Sequence, residues 1–166
     1  MKITAIHLAY FSPTYTTRKI VKEIAGQLNG RIIEHDFTGP MPPREIVWSG
    51  KREVYIVGLP VYAGRIPSAA QAFLNKIKGE GIPAIVVCVY GNRAYDDALL
   101  ELKNCVENNG FKVMAAGAFI ARHSIFPQVA ASRPDENDRR KIADFGAQCA
   151  TMLSKLESTE GLPDLN

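Results

Sequence analysis

The sequence predicts a three-layer α/β domain: a doubly wound, five-stranded parallel sheet with helices on both faces. Three observations carry this reading. Short strand-like runs recur at Ile3 to Tyr10, Arg31 to Phe37, Val54 to Leu59, Ala84 to Tyr90 and Phe111 to Ile120. Patterns of helical period lie between most of them. The stretch Ile85-Val86-Val87-Cys88-Val89 is continuously apolar, which suits a strand buried on both faces. Strands alternating with helices imply a parallel sheet, and five of them fit the order 2-1-3-4-5.

Each element has its own signal. Ile3 to Tyr10 is a core strand. Ile20, Val21, Ile24, Ala25 and Leu28 then share one helical face, with Asn29-Gly30 as a stop. Arg31 to Phe37 mixes polar and apolar residues, as an edge strand does. The proline-rich stretch Thr38 to Gly50 is too short for a full crossover helix; one turn is expected around Arg44 to Trp48, with Trp48 as a packing anchor. Pro67 opens a helix whose face is Ala69, Ala70, Phe73, Leu74 and Ile77. Leu99, Leu102, Cys105 and Val106 mark the next, which stops at Asn109-Gly110. Pro134 and the acids Asp135, Glu136 and Asp138 begin the last, over Ile142, Phe145, Cys149, Met152 and Leu156.

Bulk properties narrow the function. The chain has 166 residues, 46% hydrophobic and 22% charged, the balance of one globular domain. Residues 1–158 are expected to form that domain and 159–166 a loose tail. No apolar run approaches the ~18 residues that span a bilayer, and the N-terminus reads as a strand and not as a signal peptide. A cytoplasmic protein without membrane contact is expected. A net charge of +3 with scattered basic residues gives no footprint for nucleic acid. Cys88, Cys105 and Cys149 are far apart, which suggests core packing and no disulfide or metal site. His7, His35 and His123 are too widely spaced for a metal site or triad; His7, inside a central strand, is expected to be a satisfied core residue.

In an open sheet of this order, ligands bind beyond the carboxyl ends of the strands, near the switch point. The loops after the first, third and fourth strands are therefore the candidates. The first is Ser12-Pro13-Thr14-Tyr15-Thr16-Thr17, four hydroxyl residues in six positions between a strand and a helix. Hydroxyls and free N–H groups at a helix start form an anion site. Arg18 and Lys19 oppose the helix dipole there, a conflict a bound phosphate would relieve. The plainer alternative is a capped helix with two solvated cations. The loop lacks both G-x-x-x-x-G-K-[ST] and G-x-G-x-x-G, so a monophosphate suits it best.

The segment Phe11-Ser12-Pro13-Thr14-Tyr15-Thr16-Thr17 resembles the S/T-x-T-G-x-T phosphate loop of flavodoxins. It is most similar to the flavodoxin domains that some anaerobe proteins carry before a two-cluster ferredoxin. The resemblance continues through Leu59 to Pro67, Tyr90 to Asp97, His123-Ser124 and Arg133 to Glu136. It implies an FMN-binding electron-transfer protein, acting with a redox partner such as a ferredoxin or ferredoxin-type reductase. It also implies flavin contacts from Pro60, Val61, Tyr62, Ala63 and Gly64 on one side and from Tyr90, Gly91, Asn92, Arg93 and Tyr95 on the other. Gly64 would let the preceding peptide reorient cheaply when the flavin is reduced. Arg65 is either a free cation beside the ring or a solvated one, and His123-Ser124 could close over the flavin. The family's phosphate-loop glycine is replaced by Tyr15, which either caps the phosphate or clashes if φ is positive.

Three other functions are compatible with the sequence. One is an FMN-dependent reductase of quinones or small acceptors using NAD(P)H, although no nicotinamide motif is present. A second is a cofactor-free α/β binding module. The third is hydrolysis at Cys88-Val89-Tyr90-Gly91-Asn92-Arg93. Its C-x4-R spacing falls one residue short of the C-x5-R that wraps a phosphate, and its thiol lies inside a strand.

Overall fold

The computed structural model describes residues 2–40, 44–91 and 93–156. The main sheet is built from β1 (Ala5–Tyr10), β2 (Arg31–Asp36), β4 (Glu53–Pro60), β6 (Pro83–Tyr90) and β7 (Lys112–Ile120). Their order is β2-β1-β4-β6-β7 and every pairing is parallel. Counting only these five strands, the order is 2-1-3-4-5, as the sequence predicts. Helices α1 (Thr16–Ala25) and α4 (Glu136–Lys155) cover one face, and α2 (Ser68–Leu74) and α3 (Ala98–Asn108) the other.

The two cores follow from strand alternation. Ile6, Leu8 and Tyr10 of β1 join Ile20, Val21 and Ile24 of α1 and Ile142 and Cys149 of α4. Ala9 faces the other way, with Tyr55 and Val57 of β4 and Phe73, Leu102 and Val106 of the opposite helices. The central strands β1 and β6 are buried on both faces, whereas β2 alternates as an edge strand does.

Several local expectations differ from the structure. Two short strands, β3 (Ile46–Trp48) and β5 (Ile77–Gly79), pair in parallel beside the main sheet. The expected turn around Arg44 to Trp48 is thus largely a strand, although Trp48 does pack, stacked on Tyr55 with ring centroids 4.4 Å apart. Ile77 belongs to β5, because α2 ends at Leu74. Helix α1 ends at Ala25, with Gly26 as its cap, before Asn29-Gly30. Pro134 precedes the α4 cap, which is a capping box of Asp135 and Asp138. The expected tail at 159–166 lies outside the described residues.

His7 sits in the middle of β1, in a cluster with His35, Trp48 and Tyr55. Its Nδ1 lies 2.9 Å from His35 Nε2, and its ring stacks on Tyr55. Burial lowers the pKa of both histidines.

Candidate functional site

The loop after β1 is fixed by Ser12, which is almost fully buried. Its N–H donates to Thr38 Oγ1 at 2.8 Å, and its hydroxyl accepts from the Arg18 N–H at 3.1 Å. The chain then turns at Tyr15, whose φ of 63° is left-handed. Such a conformation costs a side-chain-bearing residue about 1 kcal/mol. The Tyr15 side chain is 62% exposed and points away from the cleft. The substitution for glycine is therefore accommodated as strain, not as a clash.

This geometry leaves several donors without protein partners. The N–H groups of Thr14, Thr16 and Thr17 have no acceptor among the described residues. The Thr17 hydroxyl is also buried without a partner, in a residue that is 1% exposed. Buried polar groups are normally satisfied, so an orphan beside free N–H groups at a helix start marks where an external acceptor fits.

Arg18 does not supply charge to this site. Its guanidinium holds Glu34, with Nε 2.8 Å from Oε2, and Lys22 Nζ reaches the same carboxylate at 2.8 Å. These contacts keep the Glu34 pKa down at about 2. The Tyr10 hydroxyl also donates to Glu34, and burial first and that carboxylate second push its pKa up to about 12.

The second loop is a tight turn. Tyr62 and Arg65 exchange both backbone N–H···O bonds, at 2.9 and 3.0 Å, around Ala63 (φ 50°) and Gly64 (φ 77°). Two left-handed central residues make this a type I′ turn. A Cβ on Gly64 would lie 2.3 Å from Asp96 Oδ2, so the second and third loops are in close contact. Gly64 alone does not make a peptide flip cheap. Rotating the Ala63–Gly64 peptide would also swing ψ of Ala63, which at positive φ enters a region open essentially to glycine. Arg65 is not a free cation: Nε and Nη2 lie 2.9 and 3.0 Å from the Glu101 carboxylate, whose pKa this pairing lowers.

A cleft runs between these loops. Pro13, Thr14, Thr16 and Thr17 form one wall, and Pro60, Val61 and Tyr62 a second. Tyr90 and Gly91 form a third. Tyr95 stands at the rim, 39% exposed, with its ring centroid 5.4 Å from that of Tyr90. Arg93 turns outward and pairs with Asp96. Ser12, Tyr15, Ala63 and Gly64 shape the loops without lining the cleft, and Asn92 lies outside the described residues.

The fourth wall, Arg122-His123-Ser124, comes from the loop after β7. Sequence reasoning marked His123-Ser124 only through the resemblance, and it missed Arg122. The usable signal was position: all three directly follow the last strand, at the same sheet edge. The cleft itself encloses only about 20 Å³, and beside it a more open hollow of about 240 Å³ is lined by Thr14, Thr16, Pro127 and the Arg122-His123-Ser124 loop. Larger hollows, at the opposite sheet end and on the outer side of α4, have no aromatic walls.

Cys88 takes no part. It is fully buried in β6, and desolvation pushes its thiol pKa up to about 12. A nucleophilic thiolate needs the reverse, so the hydrolytic alternative is overturned. No cluster of potential metal ligands occurs among the described residues. No helix among them is long and apolar enough to cross a membrane.

Sheet order and loop placement define a doubly wound, flavodoxin-like fold. Among solved structures, the chain is similar to an NADH:FMN oxidoreductase in its apo form, with TM-score 0.67 and 14% identity over 98% of this chain and 97% of that one. It is similar to a flavodoxin from the domain Archaea, with TM-score 0.62 and 12% identity over 91% and 99%. A Streptococcus pneumonia TIGR4 flavodoxin gives 0.60 and 15% over 90% and 99%. At such identities the likeness establishes the fold. No protein-family model matches the chain, and no curated protein matches it significantly.

Proposed function

We propose that this chain binds FMN at the carboxyl edge of its sheet and works as an electron-transfer flavoprotein of the cytoplasm. The observation that carries the reading is the buried, partnerless Thr17 hydroxyl beside the free N–H groups of Thr14, Thr16 and Thr17. A flavin 5′-phosphate supplies the acceptors these donors lack, and the neighbouring slot is walled by Tyr62 and Tyr90. FMN, when bound, accepts and releases one or two electrons.

The residues present fit that group in kind, with partnerless donors at one end and aromatic walls at the other. At the phosphate end, Thr14, Thr16 and Arg122 also border a hollow of about 240 Å³ beside the cleft. The walls must part to admit the ring, since the whole cleft encloses about 20 Å³, far below the volume of any flavin. Tyr62 and Tyr90 are only partly buried and can move. Once parted, they exclude water from both faces of a flat ring, while the type I′ turn keeps Tyr62 in register. No side chain need act as an acid or base. The partner in this reading is a redox protein such as a ferredoxin or ferredoxin-type reductase.

A second reading is an FMN-dependent reductase that takes electrons from NAD(P)H and passes them to quinones or small acceptors. It is favoured by the likeness to an NADH:FMN oxidoreductase over almost the full length of both chains. The Ala63 strain also favours it, because it opposes the backbone flip expected of a one-electron carrier. Anaerobic addition of NADH or NADPH to the FMN-loaded protein separates the two. A carrier stays yellow until a reduced ferredoxin-type partner is added, whereas a reductase bleaches with the nicotinamide alone.

A further inference from the structure

The loop after β7 is a built element. The Ala121 N–H donates to the Tyr90 carbonyl at 2.9 Å, which anchors the loop beside the third wall. The Arg122 N–H donates to the Arg133 carbonyl at 3.0 Å, and the His123 N–H to the Val129 carbonyl at 3.1 Å. His123 Nδ1 accepts the N–H groups of Ile125 and Phe126 at 3.2 and 3.1 Å. Gly91 leaves room for this ring, because a Cβ there would lie 2.7 Å from His123 Cδ2. Arg122 Nε donates to the Pro127 carbonyl at 2.8 Å, which aims the rest of the guanidinium. Arg122 shares the open hollow with Thr14 and Thr16.

Charge separates Arg122 from its neighbours. Arg18 is paired with Glu34, Arg65 with Glu101 and Arg93 with Asp96. Arg122 has no carboxylate partner among the described residues, although it lines the cleft. A guanidinium carries five N–H donors, and one is used on Pro127. An unneutralised cation, a partnerless buried hydroxyl and three free N–H groups thus border one cleft.

We propose that Arg122 is the charge partner of a phosphate monoester held by Thr14, Thr16 and Thr17, and so sets the preference for FMN over riboflavin. The inference rests on the flavin reading and adds the residue and loop that neutralise the phosphate. The phosphate is gripped from two sides, by neutral donors of the first loop and by the guanidinium of the fourth. Charge-assisted hydrogen bonds exceed neutral ones in strength, and the cation makes binding sensitive to salt.

The test is flavin fluorescence quenching by the full chain, with FMN and riboflavin titrated separately at low and high salt. Arg122→Gln is expected to weaken FMN by about tenfold to a hundredfold and to leave riboflavin within about twofold. Arg122→Lys should recover part of the loss, and FMN binding by Arg122→Gln should lose most of its salt dependence. Inorganic phosphate should compete with FMN on the unaltered chain but not with riboflavin. If Arg122 merely staples its loop, FMN and riboflavin weaken together, and the inference falls while the flavin reading stands. An FMN affinity indifferent to Arg122→Gln overturns the inference in the same way. Should Arg122→Gln fail to fold, the salt and phosphate arms on the unaltered chain decide: FMN binding insensitive to both overturns the inference. An unaltered chain that binds neither flavin overturns both.

Discussion

Replacing Thr17 with valine should stabilise the protein without ligand and weaken its hold on FMN. The swap keeps the shape of the side chain and removes one oxygen. That oxygen is buried in a residue 1% exposed and has no partner. A buried, unsatisfied hydroxyl costs about 1–3 kcal/mol by protein mutational measures, so its removal should return about 1 kcal/mol. For a chain of this size that raises Tm by about 2–4 °C. The same hydroxyl would donate to the phosphate, and a hydrogen bond to a charged group is worth about 1.5–3 kcal/mol. FMN affinity should fall by about tenfold or more, with riboflavin little affected. Thermal melts with and without FMN, together with fluorescence titrations, read both effects. The opposite signs make the test sharp. If Thr17 serves the helix, Thr17→Val lowers Tm without ligand; that result would refute the reasoning even if FMN binding also fell.

Other residues give independent tests. Tyr15→Gly should raise Tm by about 2–4 °C by relieving about 1 kcal/mol of left-handed strain, with FMN affinity unchanged because the ring is exposed; a clear loss of affinity would return Tyr15 to the phosphate site. Gly58→Ala should destabilise by about 1–3 kcal/mol, since its Cβ would lie 2.4 Å from Val21 Cγ1 and 3.1 Å from Thr17 Cγ2, pushing α1 and the loop before it outward. Denaturant midpoints and FMN titration should then fall together. The partly buried pair His7 and His35 predicts an acid-sensitive fold. Both folded pKa values lie below the ordinary 6.5, so the unfolded chain takes up protons first as pH falls. Stability is full above about pH 6.5 and declines below it. Melts from about pH 7.5 to 5 should show this decline, and His35→Gln should flatten it; an unchanged slope would assign it to other groups.

The sequence made the sheet legible because a strand buried on both faces, such as Ile85 to Val89, has no polar residue to confuse its pattern. The helix faces were legible for a related reason, since Ile20, Val21 and Ile24 repeat at the helical period. Three-residue strands carry no period at all. Ile46–Trp48 and Ile77–Gly79 were therefore hidden, and Ile77 also fitted the spacing of the helix before it. Long-range charge pairing was equally invisible. Glu101 reaches Arg65 from 36 residues away and Glu34 reaches Arg18 from 16, so both arginines look free in one dimension. Arg122 shows the converse: only the fold reveals that it lacks a carboxylate and faces the threonines of a loop more than a hundred residues earlier. Tyr15 stands between these cases. Comparison with a glycine position exposed the question, and only backbone geometry answered it.

The central claim is that the Ser12–Thr17 loop and its neighbouring walls hold FMN. Its most direct test is titration of FMN into purified protein stripped of flavin, followed by fluorescence quenching. The account predicts saturable one-to-one binding with a Kd of about 1 μM or tighter, roughly −8 kcal/mol, and distinctly weaker binding of riboflavin. Protein that is folded by circular dichroism and leaves FMN fluorescence unchanged at tens of micromolar would contradict it.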